Sequence, residues 1–225
     1  MKFVIAIDGT ASSGKSTTAR LLAKKLGFVH LDTGAMYRAV TYLLLTKKAQ
    51  ESDDERIANV LLKSSLTFKI QRGSLHVYLG DKELKDELRT PEVDNWVSPV
   101  SERSIVRAYL VAKQREIGRN RKIVCEGRDI GSVVFPDAGL KVFMTCDMAE
   151  RAMRRQKELR EKGIDQSGED VEASLARRDE IDSNRKISPL KCTSDAFRID
   201  TTDLTIEEQV AIIEEEVQKR MGEKS

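Results

Sequence analysis

Cysteine and histidine are scarce in this chain, and none of them cluster. There are three cysteines and two histidines in 225 residues. Cys125, Cys146 and Cys192 make no CxxC pair and the histidines are His30 and His76, so a zinc site is not expected. Cys125 ends the run "KIVC" and Cys146 follows "LKVFMT", which suits small apolar residues near strand ends, kept as reduced thiols. A charge excess is also missing. Lys and Arg number 39 against 37 Asp and Glu, and a net charge of +2 makes no general electrostatic case for nucleic-acid or membrane partners. Long apolar runs are absent too. "MKFVIAIDG" stops at Asp8, too short for a secretory signal, and nothing approaches a membrane span. A cytoplasmic monomer is expected, with no nucleic acid and no membrane among its partners. There is no internal repeat or low-complexity tract.

What is present describes a charged globular chain, with 40% hydrophobic and 34% charged residues. Its length suits a single core with inserted excursions. "FVIAI" before Asp-Gly reads as a strand buried on both faces. A helix over Lys15–Leu26, a strand "FVHL" and a helix from about Ala35 to Leu45 follow. This alternation predicts an α/β fold with a parallel sheet flanked by helices.

The pattern then breaks. A short helix near Ile57–Leu62 precedes two alternating runs, "LTFKI" and "LHVYL", separated by "QRGS" as in a hairpin. A small α+β insertion over about 53–99 is expected, with Trp96 packing inside it. Beyond it come a helix at about Ile105–Ile117, strands "KIVC" and "LKVFM", and helices at about Ala149–Lys162 and Val171–Arg185. A strand "AFRID" and a helix over Ile206–Met221 close the chain, giving five core strands. "REKGIDQSGED" is the candidate mobile connection.

"GTASSGKST" matches GxxxxGK[ST] between a predicted strand and a predicted helix, the context the motif requires. Backbone N–H groups of Gly9, Thr10, Ala11, Ser12, Ser13, Gly14, Lys15, Ser16 and Thr17 would cradle the phosphates of ATP. Lys15 would set its charge on the outer phosphates, and the Ser16 hydroxyl would ligate Mg²⁺. A Gly/Ser-rich turn is the competing reading. The four fixed letters arise by chance in roughly one chain in a hundred of this length. The nucleotide reading wins. The Asn-Lys-x-Asp of many GTPases is missing, which disfavours a GTPase switch.

Further polar residues follow predicted strand ends, where open α/β sheets bind ligands. In "LDTGAMYR", Thr33 and Gly34 can open a helix toward a phosphate, with Tyr37 and Arg38 one turn on. An ordinary capped helix with an exposed arginine explains these residues about as well. In "EGRDIG", Glu126 could reach Mg²⁺ through water, Arg128 offers a fork for phosphate, and Asp129 can accept from a sugar hydroxyl or a base amine. The flanking glycines would let the chain swing this pair into the cleft. Arg151, Arg154, Arg155, Arg160, Arg177, Arg178 and Arg185 form a third group. Pairing with Glu158, Glu161, Asp179 and Glu180 on a solvated face accounts for about half of them. Phosphoryl transfer needs such charge on a closing segment.

Together with "LRTPEVDNWVSPVS", "EGRDIGSVVFPDA" and "RRDEIDSNRKISPL", these motifs resemble the bacterial cytidylate kinases, of the nucleoside monophosphate kinase family. The resemblance runs from Phe3 to about Thr202. It implies a single P-loop kinase domain, with an NMP-binding insertion at about 53–99 and an Arg-bearing lid at about 151–185. It further implies transfer of the γ-phosphoryl of Mg²⁺·ATP to CMP or dCMP. Thr33, Arg38 and Arg128 would meet the CMP phosphate, with Gly34 and Gly127 also in the CMP site. Ser98, Arg107, Asp129 and neighbours would read the cytosine, Asp182 and Arg185 would contact sugar and phosphates, and Tyr37 would belong to the same CMP site. Lys15, Arg128, Arg185 and the lid candidates Arg154 and Arg178 would be catalytic. Glu126 and Thr33 stand where some relatives have Asp and Ser, changes that keep the chemistry. A kinase for UMP, AMP or another small acceptor is the runner-up, and a non-catalytic NTP-binding module the rival.

Overall fold

The structure, a computed structural model, describes residues 2–161 and 163–222; the helix end expected at Lys162 lies outside them. Strand β1 (Phe3–Gly9) is buried along its whole length, as its unbroken apolar run requires. Helix α1 (Lys15–Leu26) ends at Gly27, whose φ of 66° is left-handed. Strand β2 (Val29–Asp32) leads into α2 (Thr33–Thr46). That helix begins two residues earlier than expected, because Asp32 caps it and accepts from the Ala35 amide at 2.9 Å.

Helix α3 (Asp54–Lys63) is likewise lengthened by its Asp53 cap. Strands β3 (Leu66–Gln71), β4 (Ser74–Leu79) and β5 (Lys82–Leu84) form an antiparallel meander. Helix α4 (Pro91–Glu102) has no counterpart in the sequence reading. Thr90 caps it, Pro91 sits where a missing N–H costs nothing, and it continues through Pro99. Trp96 on this helix is half-buried.

Helix α5 (Ser104–Gly118), β6 (Lys122–Gly127), β7 (Leu140–Thr145), α6 (Met148–Glu161), α7 (Gly168–Asn184), β8 (Phe197–Asp200) and α8 (Ile206–Gly222) complete the chain. Among the described residues one sheet runs β3-β4-β2-β6-β1-β7-β8, with β5 on β4. The five expected strands are its parallel part: β2, β6, β1, β7 and β8. The hairpin of the insertion is not a separate sheet. It prolongs the same sheet, with His30 opposite Ser74 and the His30 amide donating to the Gly73 carbonyl at 2.8 Å.

Alternate residues of β1 serve two apolar clusters. Val4 and Ala6 pack with α2, α3 and α5, while Ile5 and Ile7 pack with α1 and α8. A third, smaller cluster joins α6 and α7 to Ala11. The three cysteines are free thiols, and only Cys125 is fully buried. No helix among the described residues is long and apolar enough to cross a membrane.

Candidate active site

A cleft of about 810 Å³ opens beyond the C-terminal ends of β1, β2 and β6, the side where open α/β sheets bind ligands. The phosphate loop forms one wall. It turns through Ser12 (φ 59°) and Gly14 (φ 89°) into α1, leaving the helix N-terminus facing the cleft. Lys15 Nζ donates to the Thr10 carbonyl at 2.6 Å. Burial, reinforced by Arg128, pulls its ammonium down to about 7. Ala11, Ser12, Gly14, Lys15, Ser16 and Thr17 line the cleft; Gly9, Thr10 and Ser13 lie behind and shape the loop. Ser13, wholly buried, donates to the Thr10 carbonyl at 3.0 Å.

Glu126, at the end of β6, is the floor. Its carboxylate accepts from Ser16 Oγ at 2.5 Å and meets His30 Nε2 at 3.0 Å, and its carbonyl accepts from Thr33 Oγ1 at 2.6 Å. The Ser16 hydroxyl and a carboxylate oxygen form a hard donor pair that suits Mg²⁺. Among the described residues no group of three or more His, Cys, Asp or Glu side chains could hold a metal alone. That fits an ion that takes its other ligands from substrate phosphates and water.

The "EGRDIG" turn is pinned to β1. Asp8 accepts from the amides of Ile130 and Gly131, each at 2.8 Å, and burial raises its carboxyl to about 6. Neither glycine of the turn has a positive φ, so backbone freedom is not their purpose, contrary to expectation. Gly127 is needed for close approach. A Cβ there would sit 2.7 Å from Thr33 Oγ1 and from Ile130 Cδ1.

Arg128 and Asp129 enter a lattice of ion pairs. Arg128 Nε holds Asp182 at 2.7 Å, Asp129 pairs with Arg107, and Arg185 reaches Asp129 at 3.4 Å. Burial raises Asp129's carboxyl even between two arginines. Burial pushes the same way at Asp182, yet Arg128, Arg178 and Arg185 keep that carboxyl low. Arg107 lies behind Asp129 and outside the lining, its guanidinium 5.6 Å from the Tyr37 ring centroid. Burial raises the Tyr37 phenol to about 12. Thr33, Gly34, Tyr37, Arg38, Ser98, Gly127, Arg128, Asp129, Asp182 and Arg185 all face the one cleft.

The late arginines divide. Arg154, Arg155, Arg178 and Arg185 line the cleft. Arg178 is half-buried, its buried Nε has no partner among the described residues, and desolvation beside Arg128 and Arg38 lowers its guanidinium to about 10. Arg154 holds the Thr201 carbonyl at 2.7 Å, while its buried Nη1 has no partner among the described residues. Arg151 is structural. It pairs with Asp179 and donates to the Ala11 carbonyl at 3.3 Å, bolting α6 and α7 to the phosphate loop. Arg160 and Arg177 are exposed, outside the cleft.

Several lining residues escaped the sequence reading, among them Arg20, His30, Asp32, Arg89 and Thr205. The strand-end rule could have found His30 and Asp32, and Arg20 lies one turn beyond Ser16. Nothing local singles out Arg89 or Thr205.

The cleft therefore joins the phosphate loop to a second polar pocket. The family model "Cytidylate kinase" matches residues 5–219. The chain belongs to the cytidylate kinase family. It is thus an enzyme, a phosphotransferase. A cytidylate kinase from Enterococcus faecalis is 45% identical over 219 residues, 97% of each chain. One from Ligilactobacillus salivarius is 47% identical over 219 residues, covering 97% of this chain and 98% of the other. Among solved structures, an uncharacterized protein from Eubacterium ventriosum superposes with a TM-score of 0.53 at 12% identity, covering 97% and 99% of the two chains. That likeness concerns the fold alone. For this cytidylate kinase family member, the motifs quoted from the sequence all converge on one cleft.

Proposed function

We propose that the protein transfers the γ-phosphoryl of ATP to the 5′-phosphate of CMP or dCMP, giving CDP or dCDP and ADP. One observation carries this reading. The phosphate loop with Lys15 and the polar group of Thr33, Arg38, Arg128 and Asp129 face each other across a single cleft. The family's name supports CMP as the acceptor.

The acceptor oxygen is already ionised near neutral pH, so no general base is required. Catalysis comes from alignment and charge neutralisation. Residues 9–17 hold the ATP phosphates, and Lys15 sets its charge on the outer ones. Arg38 and Arg128 hold the acceptor phosphate. Asp129 and Ser98, backed by Arg107, take the cytosine, while Asp182 and Arg185 take sugar and phosphate oxygens. Arg154 and Arg178 bring charge to the migrating group. Their buried nitrogens, without partners among the described residues, support that role, because a buried donor without a partner is costly. Ser16 and, through water, Glu126 would hold Mg²⁺, which when bound would supply charge neutralisation at the phosphates. Residues 53–99 act as the acceptor-binding insertion and 151–185 as a lid that excludes water. A cytoplasmic monomer completes the reading, and the free thiols suit that compartment.

The test is a coupled ADP-release assay with CMP, dCMP, UMP and AMP. ADP release that depends on CMP or dCMP is expected. Release with another acceptor alone replaces the substrate assignment, and release with none overturns the reading.

A further inference from the structure

Asp94 is an acidic residue beside a cleft full of arginines, yet it lines a separate space. It faces a cavity of about 170 Å³ between α4 and the α6–α7 pair. Its two carboxylate oxygens hold two different elements. Oδ1 meets Arg38 Nη2 of α2 at 2.6 Å, and Oδ2 meets Arg155 Nη2 of α6 at 3.0 Å. Burial would raise this carboxyl, but the two arginines outweigh it and hold it below the ordinary range. Arg38 also donates through Nη1 to the Leu88 carbonyl at 3.1 Å. Two of its five N–H donors are thus fixed by the Leu88 carbonyl and Asp94. Both arginines line the main cleft.

The far end of α6 is fastened as well. Arg151 joins it to the Ala11 carbonyl and to Asp179, and the Ala11 amide donates to Asp179 at 3.4 Å. A continuous polar path therefore runs from the phosphate loop through Arg151, along one helical turn to Arg155, and through Asp94 to Arg38. We propose that Asp94 is a positioning residue that couples the two ends of the cleft, so that filling the phosphate loop sets Arg38 in place for the acceptor phosphate. This rests on the reading above, in which Arg38 receives that phosphate. Without the shared carboxylate, α2 and α6 respond to their ligands separately. A coupling between sites requires such a differential contact, and it must be reciprocal.

The test uses Trp96, the only tryptophan in the chain, which lies on α4 two residues beyond Asp94. Its fluorescence follows titration with CMP, alone and with a saturating non-hydrolysable ATP analogue; calorimetry is the parallel readout. In the unaltered protein the analogue should tighten CMP binding about fivefold or more. In Asp94→Ala and Asp94→Asn that factor should fall to within about twofold of unity, with the dissociation constant of the analogue alone changed by less than about twofold. Arg155→Ala should lose the same coupling. Coupling retained in the variants, or absent from the unaltered protein, overturns the proposal. Should Asp94→Ala fail to fold, Asp94→Asn and Arg155→Ala decide the matter alone. If the unaltered protein phosphorylates another nucleotide and not CMP, the functional reading fails, and the same titration with that nucleotide still judges Asp94.

Discussion

Raising the pH should weaken nucleotide binding through one lysine. Burial, with help from Arg128, brings Lys15 from the ordinary 10.5 down to about 7. At about 1.4 kcal/mol for each tenfold, that fall corresponds to about 5 kcal/mol. A triphosphate against Nζ restores the charged form, because a close opposite charge favours it. With a pKa of about 7 the free lysine is ~10% protonated at pH 8, so binding takes up roughly 0.9 proton. At pH 6 the uptake is roughly 0.1 proton. Affinity should fall nearly tenfold per pH unit above about 7 and level off below it. Calorimetry with an ATP analogue at both pH values, in two buffers of different ionisation enthalpy, measures the uptake directly. The analogue's own protonation is subtracted from a separate titration. No uptake at pH 8, or an affinity flat from pH 7 to 9, would refute the reasoning. The folding equilibrium carries the complementary effect. Between about 7 and 10.5 the unfolded chain keeps a proton that the folded chain has lost, so this lysine makes the unliganded protein more stable as pH rises through that window.

Lys15→Ala should abolish turnover while leaving the circular dichroism spectrum intact; normal turnover sinks its role in the cradle. Asp129→Ala should raise the KM for CMP far more than that for ATP. It should also lower stability by about 3–5 kcal/mol, since the buried Arg107 and Arg185 lose a shared carboxylate. Equal losses for both substrates would mark Asp129 as purely structural. Gly127→Ala should cost about 1–3 kcal/mol in urea unfolding, because its methyl would sit 2.7 Å from Thr33 Oγ1. An unchanged midpoint would refute that close approach. His30→Leu leaves Glu126 Oε1 without its partner at 3.0 Å and should cost about 1–3 kcal/mol. His30→Gln should recover part of it if the contact is a hydrogen bond from Nε2.

The elements legible in advance were those whose signal is local. The buried run of β1 and the motif at 9–17 located the parallel core and the phosphate loop from residue types alone. Helix α4 was not legible, since Pro91 and Pro99 both argue against a helix. Pro91 is tolerated at the first helical position after the Thr90 cap, and the helix runs on through Pro99. The attachment of the hairpin to the sheet was hidden for another reason. It rests on a single pairing, His30 with Ser74, between segments more than forty positions apart. At the site, Arg128 and Asp129 were found because they follow a strand. The anchoring of their turn by Asp8 was not, because that contact spans 122 positions.

By itself, then, the sequence determined that this is a phosphate-binding α/β chain and supplied nearly every cation that faces the cleft. Strand periodicity, a glycine-rich loop and strand-end polar residues are short-range properties, readable over a few positions. Only the tertiary structure decided which arginine each carboxylate holds. It set Arg151 to fasten α6 and α7 to the phosphate loop, left Arg178 Nε without a partner among the described residues, and made Asp94 join α2 with α6. Seven late arginines look alike in the sequence. Their roles separate only when folding fixes distance and burial, because the strength of an ion pair depends on both.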